Sequence, residues 1–126
     1  MTPEVTAAVA EVRMTFDGRV EVEEEAQGGA YVTVFDLPIG PRFKPAVSWV
    51  GFLVTFQHPR ADVYPHFLDA AVAPADSGAL PAGISAGHTW RGKTALQVSR
   101  KSHRWNPAAD TAVTKLAKVL TWLRSQ

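Results

Sequence analysis

The chain has no cysteine in its 126 residues. That excludes disulfides, thiolate metal sites and thiol nucleophiles, and it is compatible with a reducing compartment. No run reaches the roughly 20 apolar residues that a membrane-spanning helix requires. The N-terminus, "MTPEVTAAVAEVR", carries no basic region ahead of an apolar segment, so neither a span nor a signal peptide is expected and the chain reads as a soluble, cytoplasmic protein. The four histidines, His58, His66, His88 and His103, show no close metal-ligand spacing; neither a metal nor a cofactor is predicted.

What is present is ordinary globular material, 46% hydrophobic and 20% charged residues, in a length that suits one domain over 1–126. The net charge is only +1, but its distribution is lopsided. Residues 1–40 hold eight acidic and two basic side chains, and residues 89–126 hold eight basic and one acidic. Such a dipolar chain suits steering of a charged partner, and equally suits attraction between its own two halves.

Thr2, Pro3 and Glu4 form a helix start, and Val5, Ala8, Val9 and Val12 repeat at helical spacing, which predicts a helix over 3–14. "VEVEEE" opens with period-two alternation, "AQGGA" supplies a hairpin turn, and "AYVTVF" reads as a second strand. "DLPIGPRFKPA", with three prolines, must be loop or edge. "VSWVGFLVTF" is apolar on both faces and reads as a central strand; "HFLDAAV" completes a four-stranded meander. Residues 73–92 show little periodicity and predict a long surface loop. Asn106 and Pro107 predict a last helix start, with Ala109, Ala112, Val113, Leu116, Val119, Leu120 and Leu123 as its apolar stripe and Lys115, Lys118 and Arg124 outside it. The order predicts an α+β domain with helices packed on an antiparallel sheet.

That order, with "GFLVTFQHPRADVYPHF" and its Tyr64-Pro65 turn, "TALQVS", and "RWNPAADTAVTKLAKVLTWL", resembles the ubiquitin-conjugating enzyme (UBC) superfamily over residues 3–124. The resemblance implies a UBC-like fold and a nucleophilic cysteine shortly upstream of Trp105. Ala95 stands at that position, with Gln97 as a second alignment because the spacing to Trp105 exceeds the family's usual pattern. A conjugating enzyme carries a ubiquitin-like protein as a thioester, formed and released by a thiolate, and alanine has no atom for either step. The chain as given is therefore incompetent at position 95. It is either a substituted form of an active enzyme or a naturally inactive relative, and the sequence alone leaves both open.

The family's histidine-proline-asparagine motif is also incomplete, since "SAGHTWRGK" retains His88 alone. Some bacterial branches carry instead a histidine after the cysteine, and His103, eight residues after Ala95, fits that pattern. Its implied role is to deprotonate the incoming nucleophile or hydrogen-bond the oxyanion. The chain's end at Gln126 resembles the compact bacterial branch, which implies an activating enzyme, a ubiquitin-like protein and a deconjugating metalloprotease as pathway partners. Arg100, Lys101, Arg104 and Trp105 are the candidate residues for docking modifier or partner.

Three other readings compete. The same fold could serve as a non-catalytic binding module. The cations and flanking tryptophans of "RGKTALQVSRKSHRW" are also ingredients of a single-strand nucleic-acid groove, though near-zero net charge and the lack of a recognition motif weigh against it. "GISAG", Gly83 to Gly87, matches the serine-hydrolase elbow literally but lacks the strand, helix and large parallel sheet which that elbow needs.

Overall fold

Thr2 caps the first helix, its hydroxyl accepting from the Val5 amide at 3.1 Å, and Pro3 occupies the first turn, where a missing N–H costs nothing. In the computed structural model, which describes residues 1–126, helix α1 runs Pro3–Thr15 and buries Val5, Ala8, Val9 and Val12. Strands β1 (Val20–Glu24), β2 (Ala30–Pro38), β4 (Val47–Val54) and β5 (His66–Asp69) follow. A two-residue β3 (Phe43–Lys44) pairs with β6 (Ala73–Pro74) in a small separate ribbon. Strands β7 (Ile84–Trp90) and β8 (Lys93–Val98) come next, and helix α2 (Ala112–Arg124) closes the chain.

The fold is α+β, but the main sheet has six antiparallel strands in the order β1-β2-β4-β5-β8-β7 instead of the four expected. Within the segment anticipated as a long surface loop, residues 84–92 instead form the first strand and turn of a hairpin completed by β8. Trp90 pairs with Lys93, and Arg91 and Gly92 both have positive φ (47° and 82°), the conformation of a type I′ hairpin turn. A bulge between Ser85 and His88, at Gly87 with φ 89°, breaks the period-two pattern that would have revealed β7. The fold-back places β8 inside, hydrogen-bonded to β5 on one side and β7 on the other.

Helix α2 also starts later than Pro107. Asn106–Asp110 is instead a turn, in which the Asp110 carboxylate accepts from the Asn106 amide (2.8 Å) and Asn106 Oδ1 accepts from the Ala108 amide (3.0 Å). The cap falls to Thr111. Its hydroxyl accepts from Thr114 N (3.1 Å), and Thr114 Oγ1 accepts from Thr111 N (2.8 Å), satisfying two otherwise orphaned amides reciprocally. Ala109 consequently lies outside the helix and exposed, while Ala112, Leu116, Val119, Leu120 and Leu123 are buried.

Both helices cover one face of the sheet. Their buried stripes join Val32, Val34, Val50, Phe52, Val54, Leu68, Leu96 and Val98 in a single core. The opposite face carries a smaller cluster of Trp49, Trp90 and Ala95, flanked by Tyr31, Phe35, Leu53 and Phe67. Strand β4 is thus apolar on both sides for two reasons, one per face. Gly51 permits the second layer, because a Cβ there would overlap the Trp90 indole. No helix is long and apolar enough to cross a membrane.

Candidate anion-binding cleft

On leaving β8 the chain turns across the start of α2 and is anchored there by one carboxylate. Asp62, from the loop between β4 and β5, accepts from Ser102 N (2.8 Å) and from Ser102 Oγ (3.1 Å). Lys115 Nζ, from α2, donates to both Asp62 oxygens (2.9 and 3.0 Å) and to Ser102 Oγ (2.8 Å). Lys115, expected outside the apolar stripe, is buried at 3% exposure. A buried ammonium is tolerated because its pairing is complete: all three protons have acceptors and the opposite charge is in contact. Burial alone would raise the Asp62 carboxyl, but the hydrogen bonds from Ser102 and the Lys115 charge outweigh it and hold its pKa below the usual value.

This anchor shapes a cleft of about 380 Å³ between residues 100–104 and α2. Arg100, Lys101, His103 and Arg104 line it from the segment; Lys115, Lys118, Val119 and Trp122 line it from the helix. No carboxylate is among the lining residues. Lys118 lies 3.6 Å from Asp110 and Lys115 is paired with Asp62, whereas Arg100, Lys101 and Arg104 have no ion-pair partner. The Arg100 guanidinium stacks over Trp122 (4.6 Å) and the Lys101 ammonium lies over Tyr64 (5.3 Å), which orders both cations without neutralising them.

Of the three residues expected to form a catalytic centre, Ala95 and His88 are cross-strand neighbours, and His103 is not with them. Ala95 is 1% exposed, in the middle of β8, and packs against Trp49 and Trp90 on the sheet face away from the helices. His103 lines the cleft against α2. His88 is the cross-strand neighbour of Ala95, and its one side-chain hydrogen bond joins Nε2 to Ser85 Oγ at 3.0 Å. The physical reason that position 95 is separated from His103 is strand pairing. Hydrogen bonding of β8 on both edges fixes alternate side chains to opposite faces and puts position 95 under the indoles.

Of the residues expected to dock a partner, Arg100, Lys101 and Arg104 share the cleft with His103. Trp105 does not. Its indole N–H donates to Pro59 O at 2.6 Å and its half-buried ring packs against the core near His58, so it props the 99–105 segment. The Ser85–His88 pair sits on an exposed edge strand and has none of the strand-turn-helix geometry of a nucleophile elbow.

No family model, curated protein or solved structure matches the chain. No group of three His, Asp or Glu side chains is placed to hold a metal.

Sequence reasoning missed Asp62, Ser102, Lys115, Lys118 and Trp122. The last three had a signal available: positions 115, 118 and 122 recur at helical spacing and form one stripe on α2. Asp62 had none, since its partner lies 53 residues away. The second missed feature is His66. It is fully buried, both ring nitrogens lack a hydrogen-bond partner, and its ring lies 5.3 Å from that of Phe52. Burial, with the neighbouring Lys115 ammonium, pushes its pKa down to about 3, and the Asp62 charge opposes this only in part.

The aromatic face opposite the helices is not an open stacking platform. Arg91 covers Tyr31 (3.8 Å), Arg19 covers Phe35 (3.7 Å) and Lys93 lies over Trp49 (5.5 Å). Arg91 is further tied to Glu23 and Arg19 to Glu21. In the cleft the one aromatic, Trp122, already carries Arg100. A single nucleic-acid strand would find cations here but no free ring on which to stack its bases.

Proposed function

We propose that the chain is a non-catalytic binding module of UBC-like kind, whose working surface is the basic cleft between residues 100–104 and α2. Its partner is a protein with an acidic face: the ubiquitin-like modifier of a conjugation pathway, or the activating enzyme that handles it. One observation carries this reading. Three cations without protein counter-ions, Arg100, Lys101 and Arg104, are held on one side of one cleft, where an anionic partner would relieve their mutual repulsion. The non-catalytic part is supported by position 95, where a thiol would sit at 1% exposure beneath two indoles, out of reach of a modifier's C-terminus. The pathway assignment rests on the resemblance of the Tyr64-Pro65 and Trp105–Ala108 stretches.

The test is binding of the purified chain to cognate modifier and activating enzyme by biolayer interferometry at several salt concentrations. Arg100→Ala/Lys101→Ala/Arg104→Ala is expected to weaken binding at least tenfold and flatten its salt dependence, with Lys44→Ala as a neutral control. Equal binding by the triple variant would remove the cleft from the account. A reductant-sensitive adduct formed by Ala95→Cys with activating enzyme, ATP and modifier would refute the non-catalytic reading in favour of a transfer enzyme that lacks its thiol.

A further inference from the structure

We infer that the same cleft is a receptor site for a small organic phosphate, a phosphomonoester or diphosphate, whose binding competes with the acidic partner. This rests on the cleft being the working surface, and it adds a ligand class and a mode of regulation. The first argument is charge. Asp62 and Asp110 neutralise Lys115 and Lys118, which leaves Arg100, Lys101 and Arg104 uncompensated around one cavity of about 380 Å³. A carboxylate supplies a single charge on two oxygens. A phosphate monoester carries about −1.5 to −2 charges on three strong acceptors and can meet several converging cations at once.

The second argument is donor geometry. Two of the three free cations are arginines, whose planar forks bind phosphate bidentately. The third is that the site is prebuilt. Asp62 and Lys115 fasten Ser102 by three hydrogen bonds between them, with Lys115 itself buried, so the backbone that carries the cations on either side of Ser102 does not have to be ordered by the ligand. Lys115 and Ser102 are saturated by this network, so they hold the site in place and leave the contacts to Arg100, Lys101 and Arg104. Val119, beside the Arg100-covered Trp122, gives the cleft an apolar side against which the organic part of the ligand can lie. The cavity, about 380 Å³, is of the size usual for a small ligand.

The probe is sodium pyrophosphate, titrated into the full chain at constant ionic strength and followed by amide NMR shifts, with citrate as a polycarboxylate of comparable charge. Saturable one-to-one shifts confined to residues 100–104 and the α2 face are expected, with pyrophosphate at least tenfold tighter than citrate. Arg104→Gln and, separately, Lys101→Gln should each weaken pyrophosphate binding several-fold without changing the thermal midpoint, which separates lost contacts from lost fold. Pyrophosphate should also displace modifier or activating enzyme. Citrate binding as tightly as pyrophosphate would overturn the phosphate assignment and leave the acidic-partner reading standing. The absence of saturable shifts, with charge-dependent partner binding intact, would overturn this inference alone, whereas loss of both would overturn the cleft altogether.

Discussion

Lowering the pH from 7 to 5 should destabilise this protein well before its carboxylates titrate, and His66 is the cause. The imidazole has a folded-state pKa of about 3 against an ordinary value of 6.5. As pH falls, the unfolded chain takes up the proton first while the folded chain keeps the ring neutral. The stabilising difference is therefore intact above the unfolded pKa and declines through the window from 6.5 toward 3. Between pH 7 and pH 5 the loss from this one residue is about 2 kcal/mol, obtained by weighting the 6.5 titration of the unfolded chain at 1.36 kcal/mol per unit. Asp62, whose pKa lies below 3.8, stays ionised in this window and adds nothing to the drop. His58, held low chiefly by burial, contributes in the same direction and is the background to subtract. The assay is urea unfolding followed by tryptophan fluorescence at both pH values, for the parent chain and for His66→Leu. The variant should lose about 2 kcal/mol of the pH dependence. At pH 7 it should be as stable as the parent or more so, because two buried nitrogens without partners disappear together. A variant that retained the full drop would refute the reasoning and place the acid sensitivity elsewhere.

The remaining predictions concern the frame of the cleft and the two-sided sheet. Asp62→Ala leaves the Lys115 ammonium buried without its counter-ion and should cost about 3 kcal/mol in a urea melt; Asp62→Leu combined with Lys115→Met should recover most of it, and failure to recover would mean that the pair does more than balance its own charges. Ala95→Cys should resist an aromatic disulfide reagent in the native state and react at once in urea, whereas rapid native labelling would contradict the burial of β8. Gly51→Ala should destabilise by about 1–3 kcal/mol through the forced displacement of the Trp90 ring, read from the thermal midpoint, and an unchanged midpoint would show that the indole moves aside freely.

The parts of the fold that were legible in sequence are those written in a local period. The α1 stripe of Val5, Ala8, Val9 and Val12 and the alternation opening at Val20 are examples. The apolar run of β4 correctly implied a strand covered on both faces, though not that one cover is helices and the other a layer of tryptophans. The hairpin β7–β8 was illegible because its bulge at Gly87 cancels the period-two signal and its turn, Arg91-Gly92, looks like an ordinary flexible loop. The start of α2 was misplaced because Asn106 and Pro107 are good capping residues that lost to the reciprocal Thr111–Thr114 cap. The burial of Lys115 could not be read at all, since a helical lysine next to an apolar stripe is normally solvated.

The sequence by itself determined that no thiol chemistry is available, that the two helices each have one apolar face, and that cations gather between Arg100 and Arg124. Tertiary structure alone decided that Arg100, Lys101, His103 and Arg104 face Lys118 and Trp122 across one cleft, and that Ala95 lies on the other side of the sheet from all of them. The difference is physical. Helix stripes and charge runs follow from the few residues around each position. The cleft and the buried strand depend on an ion pair spanning 53 residues and on a hairpin folding back beside β5, pairings whose free energy exists only once the whole chain has closed.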